Sequence, residues 1–199
     1  MTEDALLFLN EEDASTIEAM AARIIPGDGQ DPGAREAGVL WYIDRTLAGF
    51  HADLQPLYRR GLWELEAYCQ ETCKRSYAEL DEETQDRVLH DISLVPSHPQ
   101  VGEVRERLRQ RGWSSLSAFF SVVRQQTIEG MFADPAYGGN RGAAGWKLLG
   151  FPGAQWGYSE EQMQPGFDAA RIPVQTLADL RREHGRHRSG STSPEGGAS

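Results

Sequence analysis

Apolar residues recur at spacings of three and four along much of this chain, which is the period of an amphipathic helix. Ala14, Ile17, Ala21 and Ile24 set one such stripe and predict a helix over residues 11–25. Asn10 is placed to cap it, Glu11, Glu12 and Asp13 complement the positive end of its dipole, and Pro26-Gly27-Asp28-Gly29 ends it. A second helix is expected from Pro32, with Asp31 as cap and proline in the first turn. Ala37, Leu40, Trp41 and Leu47 would form its buried face, and Gly49 would close it. A third helix over residues 54–75 carries Leu54, Leu57, Tyr58, Leu62, Leu65, Tyr68 and Cys69 on one stripe. A fourth, over 82–92 behind Asp81, turns Val88, Leu89 and Ile92 inward. Pro96 and Pro99 frame a break, and a mostly charged short helix over 101–111 reads as a solvated face. The fifth main helix covers 116–131, with Ser114 or Ser115 as cap and Phe119, Phe120, Val123 and Thr127 on one side. No period-two alternation and no internal repeat occurs, so the expected fold is all-α, a helical bundle of about five helices.

The helical period stops at residues 134–153, DPAYGGNRGAAGWKLLGFPG. Residues 129–168 hold nine of the 21 glycines and seven of the 18 aromatics (7 Phe, 6 Tyr, 5 Trp), too many of both for a helix and too irregular for a strand. Glycine lets a backbone take positive φ and approach a partner closely. Aromatics anchor contact surfaces, and a disordered segment would lack them. A long ordered loop is therefore expected, with one or two helical turns over 143–149. Trp146, Phe151, Trp156 and Tyr158 are expected to divide between filling the loop's own core and facing a partner, with Lys147 offering an interfacial ion pair. Arg124 and Glu129 are expected to brace the loop from the preceding helix. Beyond it, a short charged helix fits residues 177–187, and the terminal SGSTSPEGGAS has the composition of a disordered end. The expected organisation is an N-terminal extension over 1–10, the bundle over 11–133, the glycine/aromatic interaction loop over 134–168, and a charged, largely disordered tail over 169–199.

Asp134-Pro135, Tyr137-Gly138-Gly139-Asn140, Gly145-Trp146-Lys147 and Gly150-Phe151-Pro152-Gly153 carry a resemblance. Together with Ile24-Ile25-Pro26, Pro32-Gly33-Ala34-Arg35-Glu36-Ala37-Gly38 and Tyr42-Ile43-Asp44, they resemble the gluconate 2-dehydrogenase subunit 3 family over roughly residues 8–158. The resemblance implies a non-catalytic small subunit that binds and stabilises a large FAD-dependent flavoprotein of the glucose–methanol–choline type. That partner would oxidise a sugar, sugar acid or polyol, and some complexes of this kind add a multihaem cytochrome. FAD would sit in the partner, and no cofactor is expected in this chain. The expected partner interface is Asp134, Tyr137, Gly138, Gly139, Asn140, Trp146, Lys147, Phe151, Pro152, Gly153 and Trp156.

Composition narrows the alternatives. Thirty acids against 20 bases give a net charge of −10, which argues against a nucleic-acid binder or a polybasic membrane anchor. The apolar run Ala5-Leu6-Leu7-Phe8-Leu9 is far short of the ~20 residues of a span, so no membrane insertion is expected. Glu3 and Asp4 precede that run where a signal peptide would carry Lys or Arg, and Arg59-Arg60 lies too deep to serve as an export twin-arginine. A cytoplasmic protein is expected as the sequence stands, or a periplasmic one if a partner exports it or a signal was removed.

Candidate chemistry is sparse. Gly139-x-x-Gly142-x-x-Gly145 lacks the strand before it that a dinucleotide fingerprint needs, so close backbone packing is the better expectation. The five histidines, His51, His90, His98, His184 and His187, form neither H-E-x-x-H nor C-x-x-C-H. Cys69 and Cys73, four apart on one helix, have poor geometry for a bridge and read as small half-buried hydrophobes; a metal pair or a bond to a partner are the alternatives. Asp134 before Pro135 is first a helix-stop device. Two further functions stay open. One is a stand-alone assembly chaperone or export escort for the flavoprotein. The other is a small enzyme with Asp134, Lys147 and Arg141 around a pocket.

Overall fold

The helix predicted around Phe119, Phe120, Val123 and Thr127 becomes the central one. In the computed structural model, which describes residues 5–93, 106 and 108–189 (186–189 as backbone only), the helices in chain order are α1 (Glu11–Ile24), α2 (Val39–Ala48), α3 (Gln55–Thr72), α4 (Glu82–Ser93), α5 (Leu116–Phe132), α6 (Ala144–Leu149) and α7 (Leu177–Ser189). Helix α5 touches α1, α2, α3 and α4, and it buries Leu116, Phe119, Val123, Gln126, Thr127, Gly130 and Met131. A helix apolar on more than one face is expected at the middle of a bundle. The other four carry their stripes against it: Ile17 and Met20 from α1, Ile43 and Leu47 from α2, Tyr58 and Leu65 from α3, Val88 and Ile92 from α4. The all-α bundle stands as expected.

Helices α3 and α5 pack closely at Gly61, where even a methyl group would overlap the Phe119 ring. The Phe119 ring meets Tyr58 edge-on at 5.4 Å, and the Tyr58 hydroxyl donates to Gln126 Oε1. Two buried carboxylates tie the helices to the rest of the chain. Asp44 of α2 accepts the backbone N–H groups of Leu7, Phe8 and Leu9 at 2.7–3.0 Å and so straps the N-terminal segment to the bundle. Glu64 of α3, wholly buried, accepts from the Arg60 guanidinium at 2.7 Å and from the Ser115 N–H at 2.9 Å. An isolated buried carboxylate is very costly, and both of these are multiply bonded.

Several expectations need correction. Helix α2 begins at Val39, not near Pro32. Residues 34–38 form turns held back to α1 by the Ala34 N–H bond to the Ile25 carbonyl at 2.9 Å, and Gly38 takes φ 67°, which no helix continues through. With the later start, Tyr42, Ile43 and Asp44 face inward, while Leu40 and Trp41 are only half-buried. Ser115, one of the two expected caps, stands at the N-cap of α5, but its side chain makes no capping bond; its own N–H is satisfied by Glu64 from the neighbouring helix. Of the charged helix expected over 101–111, residues 101–105 and 107 lie outside the described part, and Leu108 is buried rather than solvated. The terminal SGSTSPEGGAS lies outside the described residues except for Ser189. Residues 169–176 before it are ordered against the loop, joined through a single bridge between Gly153 and Gln175.

Candidate functional site

An α-helix leaves its last four carbonyls without intrahelical partners. The glycine/aromatic segment folds back over this end of α5. The Asn140 amide donates to the Ala133 carbonyl at 2.8 Å and accepts the Gly145 N–H at 2.8 Å, and the Trp146 indole N–H donates to the Phe132 carbonyl at 2.7 Å. Two glycines are needed for the approach. A methyl on Gly139 would overlap the Gly130 carbonyl, and one on Gly145 would overlap the Met131 carbonyl oxygen. Asn140 and Ala143 accept left-handed backbone, at φ 46° and 56°, to make the tight turns into α6. Non-glycine residues enter that region at a cost, and the surrounding contacts hold them there.

Asp134 is the second fixed point. One carboxylate oxygen accepts the Ala136 N–H at 2.9 Å, and the other accepts the Leu177 N–H of α7 at 2.8 Å. Gly153, at φ 76°, lies against the Gln175 carbonyl and the Trp146 ring. The Ala154 N–H donates to the Gln175 carbonyl, and the Gln175 N–H to the Pro152 carbonyl. Residues 152–154 and 173–177 thus close the base of an arm, residues 154–176, whose outer part is mostly exposed.

The structure divides the expected interface set. Asp134, Gly138, Gly139, Asn140, Trp146, Pro152 and Gly153 are buried, so their side chains or backbones serve the fold of the segment itself. Tyr137, Lys147, Phe151 and Trp156 face solvent. Trp146, 6% exposed, meets Phe151, 45% exposed, edge-on at 5.4 Å, so one ring anchors and the other is presented. Sequence reasoning missed Leu148 and Leu149, which are exposed beside Lys147 on α6. The available signal was the inward Trp146: the next two residues of a helix lie on other faces, which reports Lys147 and Leu148 but not Leu149, three residues on. Trp156 is also open, with the His184 ring 6.4 Å away.

Two hollows flank α6. A shallow groove of about 510 Å³ is lined by Asp31, Arg141, Gly142, Lys147 and Leu148. A smaller hollow of about 100 Å³ lies between Lys147, Gly150 and Phe151 on one side and Ala169, Ala170 and Ile172 of the arm on the other. The pocket expected for a small enzyme is not assembled: Lys147 and Arg141 share the groove, but both oxygens of Asp134 are taken by backbone N–H groups elsewhere. The glycine triplet does not fit a phosphate either, because Gly139 and Gly145 are filled by the α5 carbonyls. Glu129 does not brace the loop as expected; it accepts the Tyr42 hydroxyl at 3.0 Å and the Gln125 amide at 2.9 Å.

Cys69 and Cys73 are both free thiols, and burial pushes the Cys69 thiol up to about 12. Among the described residues no three His, Cys, Asp or Glu side chains converge as a metal site, and no helix is long and apolar enough to cross a membrane.

The segment that caps α5 and the turn before α2 are the same two stretches that carry the family motifs. The model of the family described as gluconate 2-dehydrogenase subunit 3 matches residues 11–153. The chain belongs to this family. Subunit 3 is one component of a multi-subunit dehydrogenase, and the match ends at Gly153, at the base of the arm. Among curated proteins and among solved structures nothing matches. Within the subunit 3 stretch, the motif glycines Gly139 and Gly145, with Asn140 and Trp146, are accounted for by the capping of α5, so their presence reports the fold.

Proposed function

We propose that this chain is the non-catalytic small subunit of an oxidoreductase complex, binding and stabilising a large FAD-dependent flavoprotein of the glucose–methanol–choline type. The partner holds the flavin and oxidises a sugar, sugar acid or polyol. Membership in a family of dehydrogenase subunits supports a partner, and one observation supports where it binds. After the buried motif residues are used in capping α5, Leu148, Leu149 and Phe151 remain exposed within four residues of one another, Phe151 set against the buried Trp146 ring. Apolar clusters of this kind on a soluble surface mark interaction sites.

The test is purification of the tagged full-length chain from its native host, with the visible spectrum, mass and stoichiometry of the eluate recorded. A yellow flavoprotein in one-to-one ratio is expected. A chain that emerges colourless, folded and alone would overturn the subunit reading. A flavoprotein captured only during its maturation, and released once flavin is bound, would replace the permanent subunit with an assembly chaperone.

A further inference from the structure

Helix α6 is a ridge between two hollows, and the ridge and hollows differ in character. The ridge exposes Lys147, Leu148 and Leu149, the last at 64%. The groove on one side carries two cations, Arg141 and Lys147, against one acid, Asp31, in a chain with 30 acids and 20 bases. The Arg141 guanidinium lies over the Trp41 ring, 5.2 Å from its centroid, which holds it at the groove wall. Lys147 makes no ion pair among the described residues. The hollow on the other side is mostly apolar, formed by Phe151, Ala169, Ala170 and Ile172, with Lys147 at its lip. Its two walls come from different parts of the chain, and the Gly153–Gln175 bridge and the Asp134 bond to Leu177 hold those parts together.

We infer that this ridge and its two hollows form the seat of the flavoprotein subunit, which inserts an apolar side chain into the small hollow and sets a carboxylate against Lys147. The inference rests on the subunit reading above. Charge complementarity selects the partner strip: a cationic groove on an otherwise acidic chain fits acidic residues and repels basic ones. A hollow of about 100 Å³ beside exposed apolar residues fits one anchor side chain, and interfaces concentrate their affinity in such desolvated pockets. The arm supplies one wall of the hollow, so a chain ended at the limit of the family match would lack it.

The experiment uses the flavoprotein subunit recovered from the native complex, titrated against full-length wild type, Lys147→Glu, Ala170→Phe and Trp63→Ala. Ala170 is exposed, so a phenylalanine there plugs the hollow without entering the core. Trp63, 66% exposed on α3, is the control on another surface. Circular dichroism confirms that each variant is folded. Lys147→Glu and Ala170→Phe are each expected to raise Kd about tenfold or more, the former less so at high salt, with Trp63→Ala unchanged. Wild-type affinity in both ridge variants overturns the seat while leaving the subunit reading intact. Loss of binding in Trp63→Ala alone moves the interface to α3 and also overturns it. A flavoprotein that fails to bind even the wild-type chain removes the subunit reading, and the seat with it.

Discussion

Asp134 and Leu177 are 43 residues apart, and the Asp134 carboxylate accepts the Leu177 N–H at 2.8 Å while its other oxygen caps Ala136. One side chain therefore ends the bundle, starts the motif segment and positions α7. Replacing it with alanine leaves two backbone N–H groups without their charged acceptor. Asp134→Ala is expected to cost about 2 kcal/mol. Urea denaturation measures that loss, and amide exchange at Leu177 should rise more than exchange in α3 or α5.

Two glycines of the motif should respond in opposite degree to the same change. Gly145→Ala forces a methyl into the Met131 carbonyl, a backbone atom that cannot swing away, and should cost about 3 kcal/mol. Gly142→Ala meets open space and has only its φ of 63° to overcome, so roughly 1 kcal/mol is expected. Equal losses in the two would remove close packing as the reason for Gly145.

Trp146 and Phe151 touch but should separate in function. Trp146→Ala removes a buried ring and its bond to the Phe132 carbonyl, so it should lower stability by about 3 kcal/mol. Phe151→Ala should leave melting nearly unchanged and weaken flavoprotein binding by about 2 kcal/mol. Thermal melts and binding titrations on the same two proteins check both halves.

Five depressed carboxylates among the described residues set the response to acid. The Asp31 N–H lowers Asp28, the Arg23 side-chain hydrogen bond lowers Asp86, the Thr84 N–H lowers Asp81, the Thr176 hydroxyl lowers Asp179 to about 2, and Arg109 lowers Glu106 to about 2. A carboxylate with a folded pKa below its unfolded value stabilises the fold above the unfolded pKa and loses that contribution as pH falls through the folded one. Asp13, raised mainly by burial, works in the other direction. Stability should therefore be level above about pH 5 and fall between about 4 and 2. Denaturation midpoints across that range test it, and a rise in stability on acidification would contradict it.

The two thiols should differ sharply towards an aromatic disulfide reagent. Cys69 is buried and its thiol is pushed up to about 12, whereas Cys73 at the end of α3 is partly exposed. The thiolate is the reactive form. One equivalent should react in the native protein at pH 8 and two in denaturant.

Helices α1, α3, α4 and α5 were legible because their apolar residues recur at spacings of three and four, over about four turns in α3 and over about one in α4, where Asp81 as a cap adds to the signal. The start of α2 was not. Proline at a first helical turn is a sound local signal, but the bond from Ala34 to Ile25 and the positive φ of Gly38 belong to packing against α1. The motif segment was visible in composition, yet irregular backbone has no period from which to tell Trp146 inward from Phe151 outward. Its purpose as a cap for α5 depends on carbonyls of Gly130, Met131, Phe132 and Ala133 that lie before the motif in the chain. The pairing of Gly153 with Gln175 crosses more than 20 residues without any regular pattern, so no local rule reports it.

The crossing of α3 over α5 constrains how this sequence can drift. Gly61 and Phe119 occupy one space between them, so a larger residue at 61 has no room while phenylalanine stands at 119. A descendant that acquires alanine or serine at 61 must already carry, or acquire at once, a smaller residue than phenylalanine at 119. Phe119 can shrink first, at the expense of a cavity; Gly61 cannot grow first. The order of substitutions at this pair is therefore directional, and ancestral sequences should show the change at 119 preceding the change at 61.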